Sequence, residues 1–193
     1  MKDVLLGYIK KYTDIPDEKL LEIIDQLPFS SFPKGTVLLR QGDIPTKCYF
    51  VLRGLIRKYF VDEDGVENTV DFYTEQQTAA VFSGKQSPEP SQYALQCLED
   101  SVLLVGKLND DGELLRRYPF LEKMLMAMLE DMMAGSQDHL ANALSLSPEE
   151  RYVAMLEKRP ELTGRVPQYQ LASYLGIKPE SLSRLKRRLN PPD

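Results

Sequence analysis

The hydrophobic period of this chain changes near residue 107, and that change limits the fold more than any other feature of its 193 residues. From Phe29 to about Leu104, apolar residues come in short runs parted by turn residues: Pro33-Lys34-Gly35, Gln41-Gly42-Asp43, Arg53-Gly54 and Asp62-Glu63-Asp64-Gly65. The runs at 36–39, 48–52, 55–61, 69–73 and 102–105 are predicted strands, and many short strands at such spacing form a barrel or sandwich. The Pro- and Ser-rich stretch 84–92 reads as an exposed loop within it. Before the strands, residues 3–27 carry Leu5, Tyr8, Ile9, Leu20, Ile24 and Leu27 at helical spacing broken by Pro16, which predicts two short amphipathic helices. After Lys107 the helical period returns and persists.

Residues 119–145 predict one long helix with two apolar stripes. Leu121, Leu125, Met128 and Met132 form one, and Met126, Leu129, Met133 and Leu140 the other. Two stripes need two covering surfaces. Both could lie on the barrel; the sharper expectation is that one does and the other meets a second copy of the chain. The first stripe, Leu121, Leu125, Met128 and Met132, is assigned here as the dimer interface. Ser147-Pro148-Glu149-Glu150 then supplies an N-cap, a proline at the first helical position and an acidic first turn, starting a helix that stops at Pro160.

Composition removes whole classes of chemistry. No apolar run approaches the roughly 18 residues of a membrane span, and Lys10 and Lys11 interrupt the N-terminus before a signal segment can develop, so a cytoplasmic protein with no membrane partner is expected. Two cysteines, Cys48 and Cys97, and one histidine, His139, are too few for a disulfide framework, a four-ligand zinc site or a Cys-ligated iron–sulfur cluster. No metal, no cofactor and no enzymatic activity are expected, since a cupin-like barrel enzyme needs clustered histidines. His139 is expected on a dimer seam or exposed.

Charge is divided unevenly. Residues 151–193 hold nine basic and four acidic residues, leaving 15 basic against 25 acidic in the rest. A basic module therefore follows an acidic one, the asymmetry expected when one end meets a polyanion. Within that module Leu171, Ala172, Leu175, Gly176, Ile177, Leu182 and Leu185 carry the spacing of a helix-turn-helix: a small residue where the helices cross, a glycine for the positive φ of the turn, apolar residues in the wedge and Pro179 opening the second helix. Counting about 100° per residue from Leu182 puts Glu180, Ser183, Arg184 and Arg187 on the outward face. Arg, Glu and Ser side chains read base edges, while Lys186 and Arg188 on the flanks suit phosphates, and Lys178 and Ser181 complete the candidate DNA-binding set. Alternatively, Glu180 and Arg184 form a plain i,i+4 surface pair.

The order of these parts resembles the cyclic AMP receptor protein/FNR (Crp/Fnr) family of bacterial transcription regulators. The barrel segment carries that family's spacing in Gly35-Thr36-x-Leu38, Gly42-Asp43 and Tyr49-Phe50-Val51-Leu52-x-Gly54, and the Glu180-x-x-Ser183-Arg184 core is similar to the base-reading motif of the FNR branch. The resemblance implies an α+β chain: a cyclic-nucleotide-binding-like β-roll (jelly-roll) over 1–118, a long dimerisation helix over 119–145 and a helix-turn-helix domain over 146–193. Family members that bind cyclic AMP have a Gly-Glu pair for the ribose and an Arg-Ser or Arg-Thr for the phosphate. Here those stretches read Ala79-Ala80-Val81-Phe82-Ser83-Gly84 and Ser91-Gln92-Tyr93-Ala94, with Lys85 as the nearby cation. An uncharged ligand pocket at Phe82, Ser83, Tyr93 and Leu95, for an unknown small-molecule effector, is the remaining expectation. The sequence stops at Asp193, so the wing usual beyond the recognition helix is expected to be missing.

The resulting expectation is a homodimeric regulator that binds double-stranded DNA, with RNA polymerase a further candidate partner. The competing expectation is a small-molecule sensor or protein-interaction module whose helix-turn-helix does not bind DNA.

Overall fold

A computed structural model describes residues 2–82, 89–108 and 112–189, with the Leu114 side chain excepted. It divides into two compact units, residues 1–58 with 72–133 and residues 59–71 with 134–193. This division differs from the expected boundaries at 118 and 145: it cuts the long helix at residue 133 and groups a hairpin tip of the roll, 59–71, with the C-terminal helices.

The first unit opens with α1 (Lys2–Ile9) and α2 (Asp17–Ile24), parted at Pro16 as the sequence predicts. Eight strands follow: β1 (Phe29–Phe32), β2 (Val37–Leu39), β3 (Lys47–Arg53), β4 (Ile56–Val61), β5 (Glu67–Tyr73), β6 (Thr78–Ala79), β7 (Ala94–Cys97) and β8 (Ser101–Lys107). They form two four-stranded sheets, ordered β1-β8-β3-β6 and β2-β7-β4-β5. The β3–β8 ladder is antiparallel, with Tyr49 opposite Val105 and Val51 opposite Leu103. Strand β3 explains its own continuous apolar run, because both of its faces are covered. Phe50 and Leu52 pack with Leu5, Tyr8, Leu20 and Ile24 of the N-terminal helices, while Tyr49 and Val51 join Ile56, Tyr73, Leu95 and Leu103 in another core.

Strands β1, β6 and β7 were not among the sequence-predicted runs. Phe29-Ser30-Ser31-Phe32 is short and half polar and Ala94-Leu95-Gln96-Cys97 is only four residues long, and the β8 and β2 neighbours supply the ladder bonds that their own residues do not call for. At the Arg53-Gly54 turn, φ is +112° and a Cβ would lie 2.8 Å from Ser101 Cα, so glycine is required there on both counts.

Helix α3 (Glu113–Arg117) leads to α4 (Phe120–Ser145). Its opening turns bury Phe120, Leu121 and Met124 in the cluster made by α1, α2, β3 and β8, with Met128 packed alongside. Leu121 is only 4% exposed. This corrects the dimer-interface assignment: Leu121 and Met128 belong to the chain's own core, and Met132 is half-buried, leaving Leu125 as the exposed member of that stripe. The open apolar side chains belong to the second stripe, with Met126 exposed, Met133 64% exposed and Leu140 60% exposed. Met126, Met133 and Leu140 recur every seven residues, the period of a supercoiled seam.

In the second unit, α5 (Pro148–Lys158) starts as predicted. Ser147 accepts the Glu150 N–H, the Glu150 carboxylate accepts the Ser147 N–H at 2.8 Å, and Pro148 occupies the first turn, which completes a capping box. Helices α6 (Leu162–Arg165), α7 (Gln168–Tyr174) and α8 (Pro179–Leu189) follow. The hairpin tip grouped with them is held by polar contacts. The Thr69 N–H donates to Ser173 Oγ at 2.8 Å, and Arg159 Nη1 donates to Asp71 Oδ1 at 2.9 Å. Burial works against the Arg159 charge, but Asp71 and Tyr174 beside it raise the guanidinium above its ordinary value.

Candidate nucleic-acid interface

The α7–α8 pair is built by the residues that the sequence pattern singles out. Leu171, Ala172, Leu175 and Leu182 are buried, with Leu185 close behind, so the two helices share one wedge. At the end of α7, Gly176 takes φ +67°, the Ile177 N–H returns to Ala172 O at 3.0 Å and the Gly176 N–H to Ser173 O at 3.0 Å. These two bonds form a Schellman stop, which turns the chain sharply and releases it toward Pro179. Arg151 of α5 secures the turn: its Nε donates to Leu175 O at 3.1 Å and its Nη1 to Leu146 O at 2.8 Å. That contact had no sequence signal, since Arg151 lies 24 residues before the carbonyl it serves.

Burial on α8 is one-sided. Leu182 and Leu185 face inward; Lys178, Glu180, Arg184, Arg187 and Arg188 are exposed, and Ser181, Ser183 and Lys186 are half-buried. Leu189 is partly open at the helix end. Arg184 Nη2 reaches back to Ser181 Oγ at 3.4 Å, and no ion pair with Glu180 occurs among the described residues. Both charged groups of the Glu-x-x-Ser-Arg core are therefore open to an external partner. Ser183 is more constrained, donating to Pro179 O at 3.0 Å and accepting from the side-chain amide of Gln168 on α7. Arg188 is paired with Glu149 of α5, so its candidate phosphate-binding group already has a carboxylate partner.

Of the residues expected to line a ligand pocket in the roll, Phe82, Tyr93 and Leu95 are described. Phe82 is 54% exposed, whereas Leu95 is fully buried among Tyr49, Ile56 and Leu103. Ser83 and Lys85 lie outside the described residues. Tyr93 is half-buried with Lys58 Nζ 4.3 Å from its ring centroid, and the neighbouring Arg57 is 1% exposed. The Lys58 ammonium therefore approaches this region from β4, outside the segment 79–95. His139 is half-buried rather than exposed, and is stacked on Tyr174 with ring centroids 5.1 Å apart.

Burial pushes the Cys48 and Cys97 thiols up, away from the thiolate that metal binding requires. Among the described residues there is no group of three His, Cys, Asp or Glu side chains suited to a metal ion, and no helix is long and apolar enough to cross a membrane.

Comparison with known proteins agrees with this architecture. Residues 29–118 match the cyclic nucleotide-binding domain family. The nitrogen fixation regulation protein FixK of Rhizobium meliloti strain 1021 is 26% identical over 167 residues, covering 83% of this chain and 74% of the relative. The fumarate and nitrate reduction regulatory protein of Escherichia coli K12 is 25% identical over 166 residues, 80% of this chain and 66% of that protein, so the chain spans about two thirds of that relative's length. Among solved structures, FixK2 of Bradyrhizobium japonicum superposes with a TM-score of 0.68 at 19% identity, covering 84% of each chain. A CooA variant from Carboxydothermus hydrogenoformans gives 0.65 at 15% identity, covering 87% of this chain and 78% of that one. Residues 29–118 thus match the cyclic nucleotide-binding domain family, in a chain similar along most of its length to relatives named as regulatory proteins and sharing the fold of FixK2 and CooA.

Proposed function

We propose that this chain is a sequence-specific, DNA-binding transcription regulator that acts as a homodimer in the cytoplasm and has no enzymatic activity. The observation that carries the reading is the two-faced α8: Leu182 and Leu185 are locked into the wedge while Glu180, Arg184 and Arg187 stand exposed and without a partner carboxylate or cation among the described residues. A helix held this way can enter a major groove, where Arg forks to guanine and Glu accepts from the cytosine amino group. Lys178 and Lys186 are placed for phosphates, and Ser181 and Ser183 for adaptable contacts near the helix start. Arg188 contributes only after it leaves Glu149.

The open stripe of α4, Met126, Leu129, Met133 and Leu140, serves as the seam with a second copy, joined by Leu125 at its edge. Two copies would set their recognition helices about 34 Å apart, which calls for a near-palindromic target. The β-roll then works without cyclic AMP. Its sequence lacks the ribose carboxylate and the phosphate arginine of the cyclic-AMP-binding pattern, and Tyr49, Val51, Ile56, Leu95 and Leu103 fill the core between the sheets. Any effector, and any contact with RNA polymerase, is recognised by other means.

Salt dependence tests the reading. Fluorescence anisotropy of a labelled duplex between 50 and 200 mM salt should show affinity falling by orders of magnitude, as phosphate contacts release counterions. An affinity independent of salt, or none at all, would point instead to an interaction module.

A further inference from the structure

Away from the exposed face of α8, the second unit contains a cavity of about 70 Å³. Its polar lining has one sign of charge. His139 and Asn142 come from α4, Arg151 and Lys158 from α5, Arg159 from the residue that ends α5 and Tyr174 from α7, and no carboxylate lines it. The acids that serve these cations stand elsewhere. Asp138 takes Lys158 Nζ at 2.9 Å, and Arg159 is met by Asp71 at 2.9 Å and by Glu161 at 3.9 Å, yet none of these acids is part of the wall.

The cations cannot easily turn away from the cavity. Arg151 is pinned at two nitrogens by the carbonyls of Leu146 and Leu175. Arg159 is only 18% exposed at its side chain and is fixed by Asp71, while His139 is held against Tyr174. Met155 supplies an apolar floor. Gathering positive groups round a small concavity raises the local potential, and an anion that accepts charge-assisted hydrogen bonds relieves it. Each water needs roughly 10–15 Å³ of such space, so the concavity has room for several waters and for a tetrahedral oxyanion.

We infer that this cavity binds a small oxyanion of the size and charge of a phosphate group, held by Lys158, Arg159 and His139, with the Asn142 amide as a further donor. Free phosphate and the phosphoryl end of a small phosphate ester share this chemistry. The site adjoins Leu175 in the turn between α7 and α8, so a bound anion stiffens the helix-turn-helix from behind, without touching the face proposed for DNA.

The single histidine makes the test direct, because the His139 imidazole protons are the only ones of their kind in the NMR spectrum. The full chain is titrated with inorganic phosphate, and separately with phenyl phosphate, with sodium chloride at matched ionic strength as the control. The site predicts a saturable His139 shift with phosphate, absent with chloride and weakened at least tenfold in Lys158→Gln, whose side chain is exposed enough to leave the fold intact. Tighter binding of phenyl phosphate would identify an ester that also uses Met155; tighter binding of inorganic phosphate would identify the free ion. Asn142→Leu gives a second check that leaves every cation in place and should also weaken binding. A shift that chloride reproduces, no saturation by 50 mM, or equal affinity in both variants would overturn the inference. No DNA is used, so this result and the DNA-binding reading stand or fall separately.

Discussion

At the scale of single residues, the side chains that matter most are those whose partners lie far away in sequence. The outward placement of Arg184 was legible from the angular count around α8, but its freedom from Glu180 was not, because rotamer choice depends on Ser181 beside it. The pairing of Arg188 was hidden for a complementary reason: Glu149 is 39 residues away and reaches it only once α5 and α8 are folded together. Arg184→Ala should therefore cost about 1–3 kcal/mol on the cognate site and much less on random DNA. Lys186→Ala should weaken both about equally and lower the salt slope by roughly one unit. Competitive binding against scrambled duplex distinguishes the two, and an unchanged preference in Arg184→Ala would remove base readout from that residue. Gly54→Ala is the strongest stability prediction at this scale. It combines a forbidden φ with overlap at Ser101, and should lower the denaturant midpoint by an amount equivalent to at least about 1–3 kcal/mol.

Elements with strong local signals were read well, and those with weak ones were not. Helix α5 announced its start through Ser147, Pro148 and Glu150, and the capping box formed there. The Glu150 carboxyl is held below the usual carboxylate range by the Ser147 hydroxyl and N–H. A depressed carboxylate stabilises the fold above its unfolded pKa, and the contribution disappears as pH falls through the folded value. Ser147→Ala should thus destabilise by about 1 kcal/mol at pH 7, checked by urea unfolding, and should narrow the acid dependence contributed by Glu150. The strands β1, β6 and β7 went unread because their pairing energy comes from neighbours rather than from their own residues. Helix α4 shows a subtler failure. Its two stripes were plain in the sequence, but spacing alone cannot tell which one meets the N-terminal helices; only the burial of Leu121 and Met124 decides it. The same holds for the roll, where Lys58 on β4 packs over Tyr93 from outside the segment 79–95.

At the scale of the whole molecule, the architecture and the family resemblance were legible because they rest on order: strand-period segment, long helix, short helices with a basic end. The grouping of the 59–71 hairpin tip with the C-terminal helices was not, since it depends on contacts such as Asp71–Arg159 that no local pattern encodes. The exposed seam gives a molecular prediction of its own. Sedimentation at micromolar concentration should show a particle twice the 22.1 kDa chain, and Met133→Glu with Leu140→Glu should return it to the single chain without loss of helix content. Calorimetric titration with cyclic AMP should give no micromolar binding.

The central claim, that α8 reads DNA sequence from a dimer, is tested most directly by selecting duplexes from a random pool and measuring affinity for the enriched site and its scramble, with the native chain and with Arg184→Ala. The account predicts a near-palindrome with half-site centres about 34 Å apart and a preference for that site that Arg184→Ala flattens. Failure to enrich any sequence, or a preference that Arg184→Ala leaves intact, would contradict it.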